Sequence, residues 1–111
     1  MDDLKAKIRQ QPEVRKQAEA LGAAVNDTMD MEWFVFGRLD LATDETTPWG
    51  RACLLEALRE AADNPHLVVY FNDWSDGTQE WVVVDYGAAL PAWSSAPTEG
   101  EAILAAWASL L

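Results

Sequence analysis

The feature that most constrains the fold of this sequence is a predicted β-hairpin. Two strongly apolar runs, at 67–71 and 81–86, are separated by a polar segment that contains Asp76-Gly77. Asp-Gly accepts the positive φ angles that a two-residue type I′ turn requires. The chain is therefore predicted to form two adjacent antiparallel strands, whose apolar surface the remaining elements have to cover.

A two-residue turn also sets the register of these strands. It places Phe71 opposite Val82 and Val69 opposite Val84, on one wholly apolar face. We therefore predict that Phe71 and Val84 are buried in the core.

Two elements are predicted before the central helix. Residues 1–25 form a helical segment broken at Pro12, which lacks an N–H but fits the first position of a second helix. Residues 31–41 form a strand, because they are rich in aromatic and β-branched residues and carry apolar bulk on both faces.

The remaining helices are predicted from their caps. Thr47 and Pro48 begin a helix that runs to about residue 63, and Thr98 begins the last helix with a capping box. Residues 87–97 are predicted to be a loop. The order α-α-β-α-β-β-α predicts a single α+β domain over residues 1–111, with a small three-stranded sheet whose central β-hairpin is packed by helices.

Acidity is the strongest compositional signal. Eight Lys and Arg residues face nineteen Asp and Glu residues, for a net charge of −11. Residues 1–16 carry a net charge of +2, which leaves −13 for residues 17–111, and no Lys or Arg follows Arg59. Such a body repels phosphate backbones, so we expect no direct nucleic-acid binding. It attracts a basic protein surface, and acidity that only maintains solubility is the alternative.

The sequence also predicts the compartment. The N-terminus lacks the basic start and apolar stretch of a signal peptide, and no apolar run approaches the ~18 residues of a membrane-spanning helix. The single cysteine, Cys53, has no partner for an internal disulfide. We therefore expect a cytoplasmic protein with no membrane partner.

Acidic and aromatic residues of the hairpin form the candidate binding site. The predicted register places Asp73 opposite Glu80, a like-charge pair that costs stability, with two tryptophans nearby. Aromatic anchors surrounded by acids suit a basic partner, although a solvated turn is the alternative. The candidate partner-binding residues are Tyr70, Asp73, Trp74, Asp76, Glu80, Trp81 and Asp85.

No catalytic residue, metal site or cofactor is predicted. His66 is the only histidine, and no acid is placed by the sequence to orient it. Cys53 lies among apolar helix residues and is predicted to be a small buried side chain. The sequence contains no glycine-rich phosphate loop and no metal-binding spacing of Cys and His.

Three motifs in the C-terminal part of the chain resemble those of a known family. They are Pro48-Trp49…Leu54-Leu55…Leu58, Trp81-Val82-Val83 in the hairpin, and Pro97-Thr98…Ala102-Ile103…Ala106. Over residues 33–111 the chain is similar to the phage ABA sandwich domain, a helix–sheet–helix family of phage-encoded proteins. The resemblance implies that fold and a phage-like origin, and the family's function is largely undefined.

These features predict a small, acidic, non-enzymatic binding protein. The most specific form of this prediction is a phage-type inhibitor, anti-CRISPR-like or another anti-defence protein, that occupies a basic, nucleic-acid-binding surface of a host protein. An immunity or antitoxin protein that neutralises a cationic nuclease has the same composition. Two further alternatives are a small hydrolase that uses His66 or a carboxylate pair, and a self-assembling structural phage component. A homodimer is a further alternative for the partner.

Overall fold

A computed structural model describes residues 2–25, 39–73, 75–86 and 92–111. In chain order the elements are α1 (Asp2–Arg9), α2 (Pro12–Val25), α3 (Pro48–Ala61), β1 (Leu67–Asp73), β2 (Gln79–Asp85), β3 (Ser94–Ala96) and α4 (Glu99–Leu110). Residues 39–42 form a further helical segment. The strands form one antiparallel sheet in the order β1-β2-β3. The predicted α+β class, with a small three-stranded sheet and a central hairpin packed by helices, is confirmed.

The predicted helix starts are present in the structure. Thr47 is the N-cap of α3, where its hydroxyl accepts the Gly50 N–H at 3.0 Å, and Pro48 is the first helical residue. Thr98 caps α4 by accepting the Glu101 N–H at 3.2 Å. These bonds satisfy N–H groups that the first turn of a helix leaves without a partner. In the described part of the chain, no helix has the length and apolar character needed to cross a membrane.

The predicted strand at 31–41 is wrong at its C-terminal end. Residues 39–41 are helical, and residues 31–38 lie outside the described part of the chain. Leu39 and Ala42, three positions apart, both pack against Ala18 and Cys53. That spacing belongs to one face of a helix rather than to one face of a strand.

The third strand of the sheet comes from the segment predicted to be a loop. Residues 94–96 pair with β2, with Ser94 opposite Val83 and Ala96 opposite Trp81. The Ser94 hydroxyl donates to the Ala102 carbonyl of α4 at 2.6 Å. The predicted loop at 87–97 is therefore wrong at 94–96, where pairing to β2 and this bond to α4 order the chain.

The register of the hairpin differs from the prediction by one residue. Val69 lies opposite Val83, and Asp73 lies opposite Gln79. Residues 74–78 connect the two strands, so the connection is longer than a two-residue turn. Gly77 has a φ of +91°, which favours glycine.

This register decides which hairpin residues are buried. Phe71 is 47% exposed and Val84 is half-buried, so the predictions that both lie in the core are wrong. Leu67 and Val83 are fully buried instead. They lie on the helix-facing side of the sheet, together with Val69, because antiparallel partners share a face.

The core lies between this side of the sheet and the helices. Trp107 of α4 is fully buried, and its indole N–H donates to the Leu54 carbonyl of α3 at 3.0 Å. Ile8 of α1 and Val14 of α2 belong to the same core cluster. The predicted core role of Trp107 is thereby confirmed, and both N-terminal helices pack against the rest of the domain.

We expect the two substitutions Leu67→Ala and Phe71→Ala to differ in cost. Leu67→Ala should lower the free energy of unfolding by about 2–5 kcal/mol, because it opens a cavity in the core. Phe71→Ala should cost about 1–2 kcal/mol, because much of the ring is already in contact with water. Urea denaturation measures both values. Equal losses would contradict the register in which Phe71 lies opposite Trp81.

Candidate protein-binding surface

The acidic residues at the hairpin connection do not oppose one another. Asp73 is exposed and lies opposite Gln79, while Glu80 lies opposite Asn72. The predicted Asp73–Glu80 pairing is therefore wrong, because the strands are shifted by one residue. Asp73, Asp76 and Glu80 still lie at the same end of the hairpin, and we call these residues the acidic tip.

Asp76 shapes the connection as well as carrying charge. Its carboxylate accepts the backbone N–H of Thr78 at 2.9 Å. Hydrogen bonds from the backbone and side chain of Thr78 lower the pKa of Asp76 below its ordinary value, because they stabilise the charged form. The ionised Asp76 therefore stabilises the turn in which Gly77 adopts its positive φ.

Trp81 lies on the helix-facing side of the sheet rather than on an open second face. Its ring meets Phe71 edge-on, with centroids 5.5 Å apart and planes at 63°. Trp81 is half-buried and packs against the main core. Its substitution is therefore expected to affect stability as well as any binding. Trp74, the second predicted anchor, lies outside the described residues.

The structure distributes the remaining candidate residues over two places. Tyr70 is 44% exposed and lies on the opposite face of the sheet from Trp81. Asp85 lies at the far end of β2, opposite Leu67, where it accepts the side-chain N–H of Asn64 at 2.8 Å. The structure therefore brings together the acidic tip, but it separates Asp85 from the tip and Tyr70 from Trp81.

Cations from the N-terminal helices pair with acids elsewhere in the chain. Lys5 contacts Glu45, Arg9 contacts Asp40, and Lys16 contacts Glu60 at 3.1 Å. Each pair is partly exposed, so its contribution to stability is small. The pairing has a larger effect on the surface charge, because Lys5, Arg9 and Lys16 and the acids that they contact neutralise one another.

The two cations of α3 are also paired. Arg51 contacts Glu99 at 3.4 Å, and Arg59 contacts Glu56 at 3.0 Å. Because no Lys or Arg follows Arg59 in the sequence, none of the hairpin's own residues is a Lys or Arg. Charge is therefore segregated between a helical part with internal ion pairs and a hairpin that carries only acidic charges. The sequence indicated the segregation but not the pairing, which depends on the fold.

His66 and Cys53 are the residues considered for catalysis. The side chain of His66 is exposed, and its backbone N–H donates to the Asn64 side-chain oxygen at 3.0 Å. Cys53 is buried as predicted, and burial raises the pKa of its thiol. Among the described residues, no group of three or more His, Cys, Asp and Glu side chains is placed to hold a metal ion.

Comparison with known proteins finds no matching family model, no similar curated protein and no similar solved structure. The resemblance to the phage ABA sandwich domain stays a prediction. The candidate surface therefore has to be argued from its own geometry and charge.

We expect Thr78→Ala to raise the pKa of Asp76, because one of the two Thr78 groups that stabilise the carboxylate is removed. A carboxyl whose folded pKa is lowered adds stability above its unfolded pKa, and this contribution is lost as pH falls through the folded pKa. NMR titration of the Asp76 carboxyl carbon measures the shift. Thr46→Ala is the matched control, since Thr46 lowers the pKa of Asp44 in the same way. An unchanged Asp76 titration in Thr78→Ala would contradict this role of the Thr78 hydroxyl.

Proposed function

We propose that this protein is a non-enzymatic inhibitor whose acidic tip binds a basic, nucleic-acid-binding surface of another protein. The phage anti-defence type, anti-CRISPR-like, is the specific form that we propose. The observation that carries the proposal is the charge segregation, in which Lys5, Arg9 and Lys16 pair with carboxylates within the helical part and the hairpin holds only acids.

The geometry of the acidic tip supports this proposal. Asp73 is exposed on a strand, where its backbone is positioned by pairing with Gln79. Asp76 is exposed and ionised in a turn that its own carboxylate stabilises. Charges held at defined positions resemble a phosphate backbone more closely than charges on a disordered tail do. A surface that binds phosphate would therefore be attracted to this end of the molecule.

Ion pairing among the helices favours binding at the acidic tip over a diffuse electrostatic interaction with the whole surface. Ion pairs such as Lys16–Glu60 reduce the field of α2 and α3, whereas no described Lys or Arg forms an ion pair with Asp73 or Asp76 of the tip. A cationic partner is thereby steered towards the tip before contact, which raises its association rate.

The test is a comparison of two charge reversals, Asp73→Lys and Glu19→Lys. Both residues are exposed and both variants change the net charge equally, but Glu19 lies on α2. A partner captured from host lysate is immobilised, and surface plasmon resonance measures binding at two salt concentrations. We expect Asp73→Lys to slow association by about tenfold and Glu19→Lys to have a much smaller effect.

Competition provides the second arm of this test. An excess of its own nucleic acid should prevent the captured partner from binding the protein. Conversely, an excess of the protein should displace that nucleic acid from the partner. Simultaneous binding of both would overturn the mimicry of nucleic acid. Equal association rates for the two charge variants would move the interface away from the acidic tip.

We expect free duplex DNA not to bind measurably near physiological salt. Lys5, Arg9 and Lys16 of α1 and α2 are already paired with carboxylates. The exposed Lys7 and Arg15 are too few to offset the net charge of −13 that residues 17–111 carry. Fluorescence anisotropy with a labelled duplex at ~150 mM salt measures this. Micromolar or tighter binding would show that the N-terminal cations are available to phosphate and would overturn the proposal.

A further inference from the structure

The outer edge of β1 is an unpaired strand edge in the described part of the chain. In the sheet order β1-β2-β3, strand β1 has a neighbour on one side only among the strands of residues 2–25, 39–73, 75–86 and 92–111. It is seven residues long, and its sequence Leu-Val-Val-Tyr-Phe-Asn-Asp contains neither proline nor lysine. Proline and lysine are residues with which natural sheets discourage pairing at an edge. The other edge, β3, is only three residues long.

Hydrogen bonds show which groups of β1 point outward. The Tyr86 N–H donates to the His66 carbonyl at 3.0 Å, so these two residues form a hydrogen-bonded pair. The Val83 carbonyl accepts from Trp93 at 2.7 Å and therefore points away from β1. Because hydrogen-bonded and non-hydrogen-bonded pairs alternate, Val69, opposite Val83, directs its N–H and C=O outward.

The same alternation applies along the whole strand. Leu67, Phe71 and Asp73 share the outward direction with Val69, since they are two residues apart. The Leu67 carbonyl is already occupied, because Arg59 donates its Nε–H to it at 2.7 Å. The open stretch of edge therefore runs over Val69, Phe71 and Asp73, with Phe71 at its centre.

We propose that a second copy of this chain pairs with this edge, antiparallel and centred on Phe71. Phe71 would face Phe71 of the second copy, and each Val69 would face Asp73 of the other chain. This register uses each open donor and acceptor of the stretch and leaves the carbonyl held by Arg59 undisturbed. Each half-exposed Phe71 ring also gains an apolar neighbour on the helix-facing side of the sheet.

Charge opposes pairing of two acidic copies, but this register keeps the repulsion between the two Asp73 residues small. Each Asp73 lies opposite a valine, and the two Asp73 residues are about 13 Å apart along the strands. That separation exceeds the screening length of ~8 Å at physiological ionic strength. The acidic tips point in opposite directions, so added salt should strengthen this pairing while it weakens binding to a cationic partner. The inference is thereby separable from the proposed function.

The test is the oligomeric state of the full chain, measured by sedimentation equilibrium across a dilution series. We expect a concentration-dependent rise from the monomer mass of 12.3 kDa to twice that value. Amide exchange followed by NMR should show protection of Val69 and Phe71 that appears only at high concentration. Val68 and Tyr70, whose amides point towards β2, should be protected at every concentration.

Phe71→Pro and Phe71→Ala separate the backbone contact from the side chain. Proline removes the outward N–H and leaves the bonds between β1 and β2 intact, which is why edge strands tolerate it. We expect Phe71→Pro to weaken dimerisation at least about tenfold beyond Phe71→Ala, because the alanine variant keeps the N–H. Circular dichroism establishes that each variant is folded.

Three results would overturn the inference. The first is a monomer at every concentration with rapid exchange at Val69 and Phe71, as expected for an edge that is free or reserved for another protein. The second is protection of these amides in the monomer, which would mean that the chain itself covers the edge. The third is a folded Phe71→Pro variant that dimerises like the wild type, which would place the interface elsewhere.

Discussion

The pairing of Val69 with Val83 is the constraint on which the exposed surfaces of this protein depend. It assigns Leu67 and Val83 to the core and leaves Phe71 half-exposed at a sheet edge. It also separates Asp73 from Glu80, so the acidic tip carries its charge without a direct cross-strand repulsion. A shift of one residue would exchange the two faces of β2 and change each of these outcomes.

The sequence allows good prediction where the determinant is local. Thr47 and Thr98 cap helices through bonds made within one turn, and these bonds need no tertiary partner. The hairpin was predictable as an element, but its register was not, because Asp76-Gly77 occurs within a longer connection that the Asp76–Thr78 bond stabilises. Strand β3 has no local signal, since its three residues are ordered by pairing with β2.

The candidate site shows the same division between local and tertiary causes. Clustering of acids at the hairpin follows from chain proximity, so the acidic tip was predictable. The neutralisation of Lys5 and Lys16 was not, because their partners Glu45 and Glu60 are distant in sequence and meet them only in the folded domain. The exposure of Phe71 was missed as well, because it depends on a strand register that the local sequence does not determine.

The two proposed surfaces lie on one hairpin without competing for the same atoms. The edge contact would use outward backbone groups of β1, whereas the acidic tip would use side-chain charges of Asp73, Asp76 and Glu80. An antiparallel pair of copies would carry its two tips at opposite ends of a continuous six-stranded sheet. Such an arrangement presents two equivalent acidic ends at a fixed separation. A partner with two basic surfaces at a matching distance would then bind with a higher effective concentration at the second contact, and would gain avidity without any new contact within either copy.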